Sequence, residues 1–173
     1  MKSASFTLAL AIFASASSAP SPSFAGNEEI WGTYKLISSK KKFLETGEVV
    51  NTYGGEHPAG YITYGKEGRM LVLVTWDGRK KPQDAFKTSI EERDALFRTM
   101  FAYGGTYNYS GNRVEHHIDI SWNETWSGTN VIRTVTRDGD RLTYTTEPYA
   151  DPQVETAGKM AVQTLVWEKV PNP

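Results

Sequence analysis

The sequence predicts an all-β antiparallel fold, either a sandwich or a barrel, built from short strands. Stretches that alternate between apolar and polar residues recur along the chain, and such alternation is typical of half-buried strands. Turn signals separate these stretches at residues 46–47, 65–68, 110–112 and 138–140. The chain also holds nine Tyr and five Trp, and strands favour aromatic side chains. If the sheet closes into a small barrel, its interior can hold one small molecule.

Residues 1–25 predict an export signal that precedes the folded part. Lys2 supplies a positive charge, residues 6–14 form a short apolar core, and a small-x-small pattern ending at Ala25 is the expected cleavage site. The apolar core is much shorter than the ~20 residues that span a bilayer. We therefore expect a secreted or periplasmic protein without stable membrane insertion, in which residues 26–173 form a single domain.

Composition and charge argue against several classes of partner. The chain has 19 Lys and Arg against 20 Asp and Glu and no basic stripe, so nucleic-acid binding is not expected. It has no Cys, which excludes disulfides and thiolate metal sites. No phosphate-binding glycine loop precedes a helix and no nucleophile elbow is present, so no cofactor is expected. Of the three histidines, His116 and His117 are adjacent and cannot face one ion from a regular strand, so no metal site is expected.

The first half of the chain predicts four strands, over residues 30–38, 48–52, 60–64 and 69–76. The last two are joined by a Gly-Lys-Glu-Gly turn and form the clearest hairpin. The glycines and proline of residues 53–58 predict a loop. The lysine cluster at residues 40–42 predicts a solvated edge or turn, with an anion site as the alternative.

One helix is expected, over about residues 89–103. Ser89 and Glu92 form the capping box that begins it, and the pair at residues 104–105 is glycine, which is typical of a helix end. The apolar face of this helix should lie against the sheet or close one end of a barrel. That face consists of Leu96, Phe97, Met100, Phe101 and Tyr103.

The second half of the chain predicts five further strands, over residues 106–109, 113–121, 130–137, 141–146 and 160–170. The Pro and Gly of residues 149–158 predict a loop before the last strand. The chain therefore holds eight or nine strands and one helix.

Several short motifs follow one another in an order that matches a known family over nearly all of residues 26–173. They are Trp31-Gly32-Thr33-Tyr34-Lys35-Leu36, Ala59-Gly60-Tyr61-Ile62-Thr63-Tyr64, Gly68-Arg69-Met70, Ala102-Tyr103-Gly104-Gly105-Thr106-Tyr107, Val114-Glu115-His116-His117, Trp126-Ser127-Gly128-Thr129, Asp138-Gly139-Asp140-Arg141-Leu142 and Leu165-Val166-Trp167-Glu168-Lys169-Val170. In these motifs the chain resembles lipocalin-like domains, and more narrowly the compact bacterial and fungal lipocalin-like family. One difference is that Tyr34 stands where the Gly-x-Trp signature of lipocalins has Trp.

The resemblance implies a closed up-and-down antiparallel barrel of eight or nine strands with one helix. Lipocalin-like proteins broadly bind small lipophilic molecules. Some relatives of this barrel shape act as cyclases, isomerases or hydratases in natural-product pathways. A small-molecule ligand or substrate is therefore the expected partner.

The predicted strand over residues 113–121 is the richest in titratable side chains. Because side chains alternate across a strand, His116 and His117 must point to opposite sides. The apolar face should look inward, which places His117 outside and His116 inside, either as a buried neutral side chain or as a group that orients a ligand or moves a proton. In the alternative, Glu115, His117 and Asp119 line a polar lumen as an acid–base set. The cost of burying two carboxylates without cations argues against that alternative.

Arg133 alternates with Val131 and Val135 on its predicted strand, which indicates that it faces inward. A buried guanidinium needs an anionic partner. That partner is either a protein carboxylate or the acid or enol group of a ligand, which the guanidinium would bind through two parallel donors. Four aromatic residues are candidates for the wall of a ligand pocket, with plain core packing as the alternative for each. They are Tyr61, Tyr107, Trp126 and Tyr144.

Three functions are consistent with these residues. The first is an exported barrel that binds a small hydrophobic or amphipathic molecule in its lumen. The second is a cofactor-independent cyclase, isomerase or hydro-lyase that acts on a polyketide or terpenoid intermediate in the same cavity. Its proton carrier would be His116, or His117 with its flanking carboxylates, and Arg133 would hold developing negative charge. The third is a barrel packed solid that serves as a structural or interaction module.

Two glycosylation sequons begin at Asn108 and Asn123. They would be used only in a eukaryotic secretory pathway. Asn123 lies in a predicted loop and is expected to be the more accessible of the two.

Overall fold

The structure is a computed structural model that describes residues 27–152 and 156–171. The predicted export signal, residues 1–25, lies outside the described residues. Within the described ranges the chain forms ten strands, one α-helix and two short 3-10 helices. The strands are β1 (Gly32–Phe43), β2 (Val49–Asn51), β3 (Ala59–Tyr64), β4 (Arg69–Thr75), β5 (Met100–Ser110), β6 (Arg113–Ser121), β7 (Asn130–Asp138), β8 (Arg141–Thr145), β9 (Tyr149–Ala150) and β10 (Met160–Lys169). Helix α1 is Ile90–Arg98, and the 3-10 helices are Asn27–Ile30 and Glu124–Trp126.

Eight of the strands close into one antiparallel barrel. The order around it is β1-β3-β4-β5-β6-β7-β8-β10, and β10 pairs back with β1 to close the sheet. The short strands β2 and β9 pair with β1 and β10 respectively. A register shift between Leu36 and Ser38 lets the long strand β1 bend and pair with its neighbours on both sides. The predicted all-β up-and-down barrel with one helix is confirmed, with eight strands in the barrel and two added to it.

The barrel is filled at the end where β1 begins. The 3-10 helix that precedes β1 buries Ile30 completely, and Asn27 Oδ1 accepts a hydrogen bond from the backbone N of Tyr109 at 2.6 Å. Tyr34, the residue that departs from the lipocalin signature, is buried and meets the ring of Tyr64 edge-on, with centroids 6.5 Å apart. These side chains fill this end, so open space inside the barrel lies toward the other end.

Helix α1 begins as the sequence predicts but ends earlier. The Ser89 hydroxyl accepts a hydrogen bond from the Glu92 backbone N at 3.1 Å, and the Glu92 carboxylate accepts one from the Ser89 backbone N at 2.8 Å. The capping box is therefore confirmed. The helix ends at Arg98, and the chain enters β5 at Met100. The predicted end at residues 104–105 is wrong, because these glycines pair with β4 and β6 in the sheet.

The two glycines belong to a β-bulge between β5 and β6. Gly104 pairs with Ile120 and Gly105 pairs with Ile118, so Asp119 of β6 has no partner on β5. The extra residue shifts the alternation of β6 beyond this point. As a consequence Ile120, which regular alternation would place inside the barrel, is exposed.

Helix α1 lies beside the open end of the barrel and buries none of its side chains completely. Phe97 packs on the ring of Trp122 with centroids 5.8 Å apart, and Trp122 Nε1 donates a hydrogen bond to the Phe97 carbonyl at 3.2 Å. Through this contact Phe97, one residue of the predicted apolar face, packs against the barrel wall. At nine residues α1 is short, and the described part of the chain holds no helix long and apolar enough to cross a membrane.

The lysine cluster at residues 40–42 is not a turn. It lies in β1, with Lys40 and Lys42 exposed and Lys41 buried. Lys41 Nζ forms an ion pair with Asp151 at 2.6 Å, and Asp151 is buried as well. The expectation of a solvated edge or turn is therefore wrong for Lys41, because a long-range partner from the segment before β10 neutralises its charge.

Candidate functional site

The barrel encloses a cavity of about 920 Å³. Buried apolar side chains of β3, β4 and β10 form part of its wall, among them Ile62, Val72 and Leu165. Its mouth is bordered by connecting segments at residues 52–54 and 147–148. Pockets that take up small organic molecules are about 300–1,000 Å³ in volume, so the lumen is large enough for such a guest.

Five aromatic residues line the mouth of the cavity, and we call them the mouth aromatics. The rings of Trp122 and Trp126 meet edge-on with centroids 4.9 Å apart, and Tyr53 packs on Phe101 at 5.4 Å. Rings in such arrangements are large apolar surfaces that lose little rotamer freedom when they bind a ligand. The mouth aromatics are Tyr53, Trp76, Phe101, Trp122 and Trp126.

Arg133 of β7 reaches into the cavity from the inner face of the barrel. It lies opposite the fully buried Val114 of β6, and both residues therefore face inward. Its Nη1 donates a hydrogen bond to the Ile132 carbonyl at 2.7 Å. No carboxylate within the described ranges forms an ion pair with this guanidinium. Of the two anionic partners considered from the sequence, the protein carboxylate is thus absent from the part of the chain described here.

The inner end of the cavity carries four hydrogen-bonded side chains from four strands, which we call the tyrosine–histidine chain. Tyr103 Oη lies 3.0 Å from His116 Nδ1, and Tyr64 Oη lies 2.7 Å from His116 Nε2. Tyr64 Oη also lies 2.7 Å from Tyr144 Oη. Along this series of hydrogen bonds the order is therefore Tyr103, His116, Tyr64 and Tyr144. Both terminal tyrosines and His116 line the cavity, whereas Tyr64 is not among the lining residues.

All four groups of this chain are held in their neutral forms. Burial, with the nearby charge of Arg133 as the second cause, lowers the pKa of His116 from 6.5 to about 3. Burial also raises the pKa of the Tyr64, Tyr103 and Tyr144 hydroxyls above the usual value of a phenol. At neutral pH the chain therefore consists of one neutral imidazole and three protonated hydroxyls.

The alternative acid–base set on β6 lies outside the barrel. His117 is exposed, and its Nδ1 lies 2.8 Å from Asn130 Oδ1. Asp119 pairs with Arg69 on the outer surface, and Glu115 Oε1 accepts a hydrogen bond from Asn130 at 3.0 Å. These three residues do not line the lumen, because the apolar alternation of β6 turns His116 inward, where it is 1% exposed. The hypothesis of a Glu115–His117–Asp119 set in the lumen is wrong.

The structure separates the predicted pocket residues into two groups. His116, Trp126, Arg133 and Tyr144 line the cavity. Tyr61 is 51% exposed on the outer face of β3, so its assignment to the pocket wall is wrong. Tyr107 faces inward but lies at the filled end, where its hydroxyl donates to the Gly65 carbonyl at 2.9 Å, and it does not line the cavity.

Tyr64 and Tyr103 belong to the site but were not predicted as site residues. Tyr64 shares the inward face of β3 with Ile62, and alternation along the hairpin was the signal that could have found it. Tyr103 was assigned to the helix, and this assignment hid its alternation on β5. Lys41 and Asp151 also line the cavity as a buried ion pair, and no local pattern indicates their long-range contact.

The two sequon asparagines differ in accessibility, but in the opposite sense to the expectation. Asn108 is exposed on β5. Asn123 is half-buried, and its Oδ1 accepts hydrogen bonds from both the backbone N and the hydroxyl of Thr125. It acts as the N-cap of the Glu124–Trp126 3-10 helix.

Within residues 27–152 and 156–171, no three His, Asp or Glu side chains converge as a metal site requires. The polar groups that converge in the lumen are instead suited to hydrogen bonding with an organic molecule.

A family model described as a lipocalin-like domain matches residues 31–170. The match covers every strand of the barrel in full, because β1 begins at Gly32 and β10 ends at Lys169. No curated protein matches the chain.

Proposed function

The chain belongs to the lipocalin-like domain family, and on that premise we propose that it binds one small amphipathic molecule with an anionic head inside the barrel. Ligand binding in the lumen is what the fold itself suggests. The chemistry of the ligand is inferred from the residues that face the cavity.

An apolar body of the ligand is supported by the lining of the lumen and of its mouth. Aliphatic side chains such as Ile62, Val72 and Leu165 form part of the wall, and the mouth aromatics lie at the entrance. Transfer of apolar surface from water to such a wall contributes about 25 cal/mol per Å². A flat or chain-like apolar ligand therefore gains most by entering deeply.

An anionic head is supported by Arg133, which is the observation that carries the proposal. A guanidinium in a largely apolar cavity is costly unless an anion neutralises it. The described residues supply no carboxylate to Arg133. A carboxylate on the ligand would supply the missing charge and accept two parallel hydrogen bonds.

Titration with dodecanoate and with dodecanol tests this assignment. We expect one molecule bound per protein, with dodecanoate binding about 10- to 100-fold more tightly than dodecanol, because a charge-assisted hydrogen bond contributes about 1.5–3 kcal/mol. Arg133→Gln should remove this preference and leave dodecanol binding nearly unchanged. Isothermal titration calorimetry gives both the stoichiometry and the affinity.

Arg137→Gln is the matched control. Arg137 lies on the same strand but is exposed, and its Nε donates to the Gly139 carbonyl at 3.2 Å. This variant should keep the preference for dodecanoate. Failure of the wild-type protein to bind either probe would overturn the binding function, and equal affinity for the two probes would overturn the anionic head.

We further propose that the protein is exported and that residues 1–25 are removed. The support is the short apolar core followed by the small-x-small pattern ending at Ala25. Expression of the full chain in a bacterial host with fractionation, followed by mass measurement of the exported form, tests this. A protein that remains in the cytoplasm at its full mass would contradict export.

A second function, catalysis in the same cavity, is favoured by the tyrosine–histidine chain. Buried tyrosine and histidine side chains need hydrogen-bond partners in any fold, but here the series of contacts begins and ends at hydroxyls that line the cavity. Of the reactions considered for such a barrel, an isomerisation by proton transfer requires no cofactor and fits these groups best.

A further inference from the structure

We propose that the tyrosine–histidine chain is a proton relay that enolises a bound ketone carrying a carboxylate, giving a proton at one terminal tyrosine and taking one at the other. The proposal rests on the proposed function, because the ketone must first bind in the lumen. It adds a reaction, a substrate class and a role for each of the four side chains.

The four groups of the tyrosine–histidine chain hold one more proton than their mutual hydrogen bonds use. The three hydroxyls carry one proton each and the neutral imidazole carries one N–H proton, which makes four donors. Three hydrogen bonds connect the four groups. One proton is therefore left over, and it cannot lie on Tyr64 because a donor there would be buried without an acceptor.

Two arrangements satisfy every buried group. In the first, His116 Nδ1–H donates to Tyr103, Tyr64 donates to His116 Nε2, and Tyr144 donates to Tyr64. The remaining donor is then the Tyr103 hydroxyl, and Tyr144 offers only an acceptor. In the second arrangement every bond is reversed, so Tyr144 holds the remaining donor and Tyr103 the acceptor. The position of the free donor is thus linked to the imidazole tautomer.

Both ends of the chain face the same space. Tyr103 and Tyr144 line the cavity, and Tyr64, which joins Tyr144 to the imidazole, is fully buried outside it. A molecule in the lumen therefore meets one hydroxyl as a donor and another as an acceptor. A proton leaving one end can be replaced at the other without any charge remaining inside the protein.

Starting from the first arrangement, the reaction transfers one proton to the ketone and removes one from it. Tyr103 gives its hydroxyl proton to the ketone oxygen, while Tyr144 takes a proton from the adjacent carbon. The electron pair of the broken C–H bond forms the new C=C bond, and the carbonyl π pair forms the new O–H bond. The product is the enol, and no oxidant or reductant takes part.

The protons inside the chain move in the same step. The Nδ1 proton of His116 passes to Tyr103, and the Tyr64 proton passes to His116 Nε2. The original proton of Tyr144 passes to Tyr64. All four groups end neutral and in the second arrangement. The reverse reaction, or water that carries a proton from Tyr144 to Tyr103 in the emptied cavity, restores the first.

The neutrality of the chain suits this task. The pKa of His116 is lowered to about 3 by burial and by Arg133, so the imidazole does not store a proton at neutral pH. Arg133 lies close enough to affect His116 and also stabilises the negative charge that develops on the ketone as its C–H bond breaks. A keto acid with an aromatic or aliphatic tail is the substrate class that uses the carboxylate site, the relay and the apolar wall together.

Deuterium exchange into 2-oxo-4-phenylbutanoate tests the relay. Enolisation in D₂O replaces hydrogen at the carbon next to the ketone, and proton NMR follows the loss of that signal. We expect the wild-type protein to accelerate exchange by at least about a hundredfold over buffer, within the range of general acid–base catalysis. Tyr64→Phe should reduce this acceleration to near the buffer rate and change binding of the probe by less than about threefold.

Tyr107→Phe is the matched control. Tyr107 is also a buried tyrosine, but its hydroxyl donates to the Gly65 carbonyl and does not belong to the tyrosine–histidine chain. It should keep the full rate. A second measurement, ¹⁵N NMR of the His116 ring, should show the Nδ1–H tautomer in Tyr144→Phe and the Nε2–H tautomer in Tyr103→Phe. A cluster with a structural role alone would not give exchange that depends on Tyr64.

The outcomes separate the two proposals. A probe that binds but does not exchange faster than in buffer overturns the relay and leaves the binding function intact. Exchange that survives in Tyr64→Phe also overturns the relay. A protein that fails to bind the probe and also fails to bind dodecanoate overturns the proposed function, and the relay with it.

Discussion

Lowering the pH from 6.5 to about 3 is expected to destabilise the folded protein by about 4 kcal/mol through His116 alone. In the unfolded chain this imidazole takes up a proton near pH 6.5, whereas in the folded protein it stays neutral until about pH 3. The unfolded state therefore binds more protons within this window, and each pH unit removes about 1.4 kcal/mol of stability. Well above pH 6.5 the imidazole is neutral in both the folded and the unfolded state, so His116 causes no loss of stability there.

The surroundings of His116 explain why its charged form is so unfavourable. The groups that face it are Tyr64 from β3, Tyr103 from β5 and Tyr144 through Tyr64, and Arg133 from β7 adds a positive charge nearby. None of these groups is anionic, so none compensates the lost hydration of an imidazolium.

Chemical denaturation at a series of pH values measures this effect. The control is His116→Gln, which keeps an amide donor and acceptor but cannot titrate, so protonation of the surface carboxylates affects both proteins alike. The difference between their free energies of unfolding should shrink as the pH falls from 6.5. Parallel pH dependence of the two proteins would show that His116 is not held neutral by burial.

Gly105→Ala is expected to destabilise the barrel by about 3 kcal/mol or more. A Cβ built on Gly105 would overlap the backbone carbonyl oxygen of His117 on the neighbouring strand. A backbone atom in the middle of a closed sheet cannot move aside as a flexible side chain can. The bulge at Asp119 would have to change its register, and with it the direction of the side chains on either side.

Gly104→Ala is the matched control for this substitution. Its Cβ would lie 3.2 Å from Leu71 Cδ1, the end of an exposed and flexible side chain, and 3.3 Å from the Met70 carbonyl. We expect it to cost about 1 kcal/mol. Thermal or urea denaturation compares the two variants, and equal stability of both would contradict the tight approach of β5 and β6 at the bulge.

Alternation along single strands was sufficient to predict much of the site. It placed His116 inside and His117 outside, and it placed Arg133 on the inner row of β7. These predictions depend only on the two-residue period of a strand, which local sequence displays directly. The alternation and the turns predict only an antiparallel sandwich or barrel; the resemblance to lipocalin-like domains implies the closed barrel that is observed.

The errors arose where partners distant in sequence decide the structure. Residues 100–105 have apolar side chains at helical spacing, but they form β5 because β4 and β6 supply hydrogen bonds on both sides. Lys41 is buried because Asp151, 110 residues away, neutralises it. Ile120 is exposed because a bulge interrupts the alternation of β6. No local pattern contains these contacts, and without the pairing of β5 the position of Tyr103 in the tyrosine–histidine chain could not be predicted.

A crystal structure of the protein with ω-bromododecanoate, analysed by the anomalous signal of bromine, locates the guest in the molecule. We expect the bromine inside the barrel and the carboxylate within hydrogen-bond distance of the Arg133 guanidinium. Bromine found only on the outer surface, or a lumen filled by rearranged side chains, would contradict a barrel that encloses its ligand.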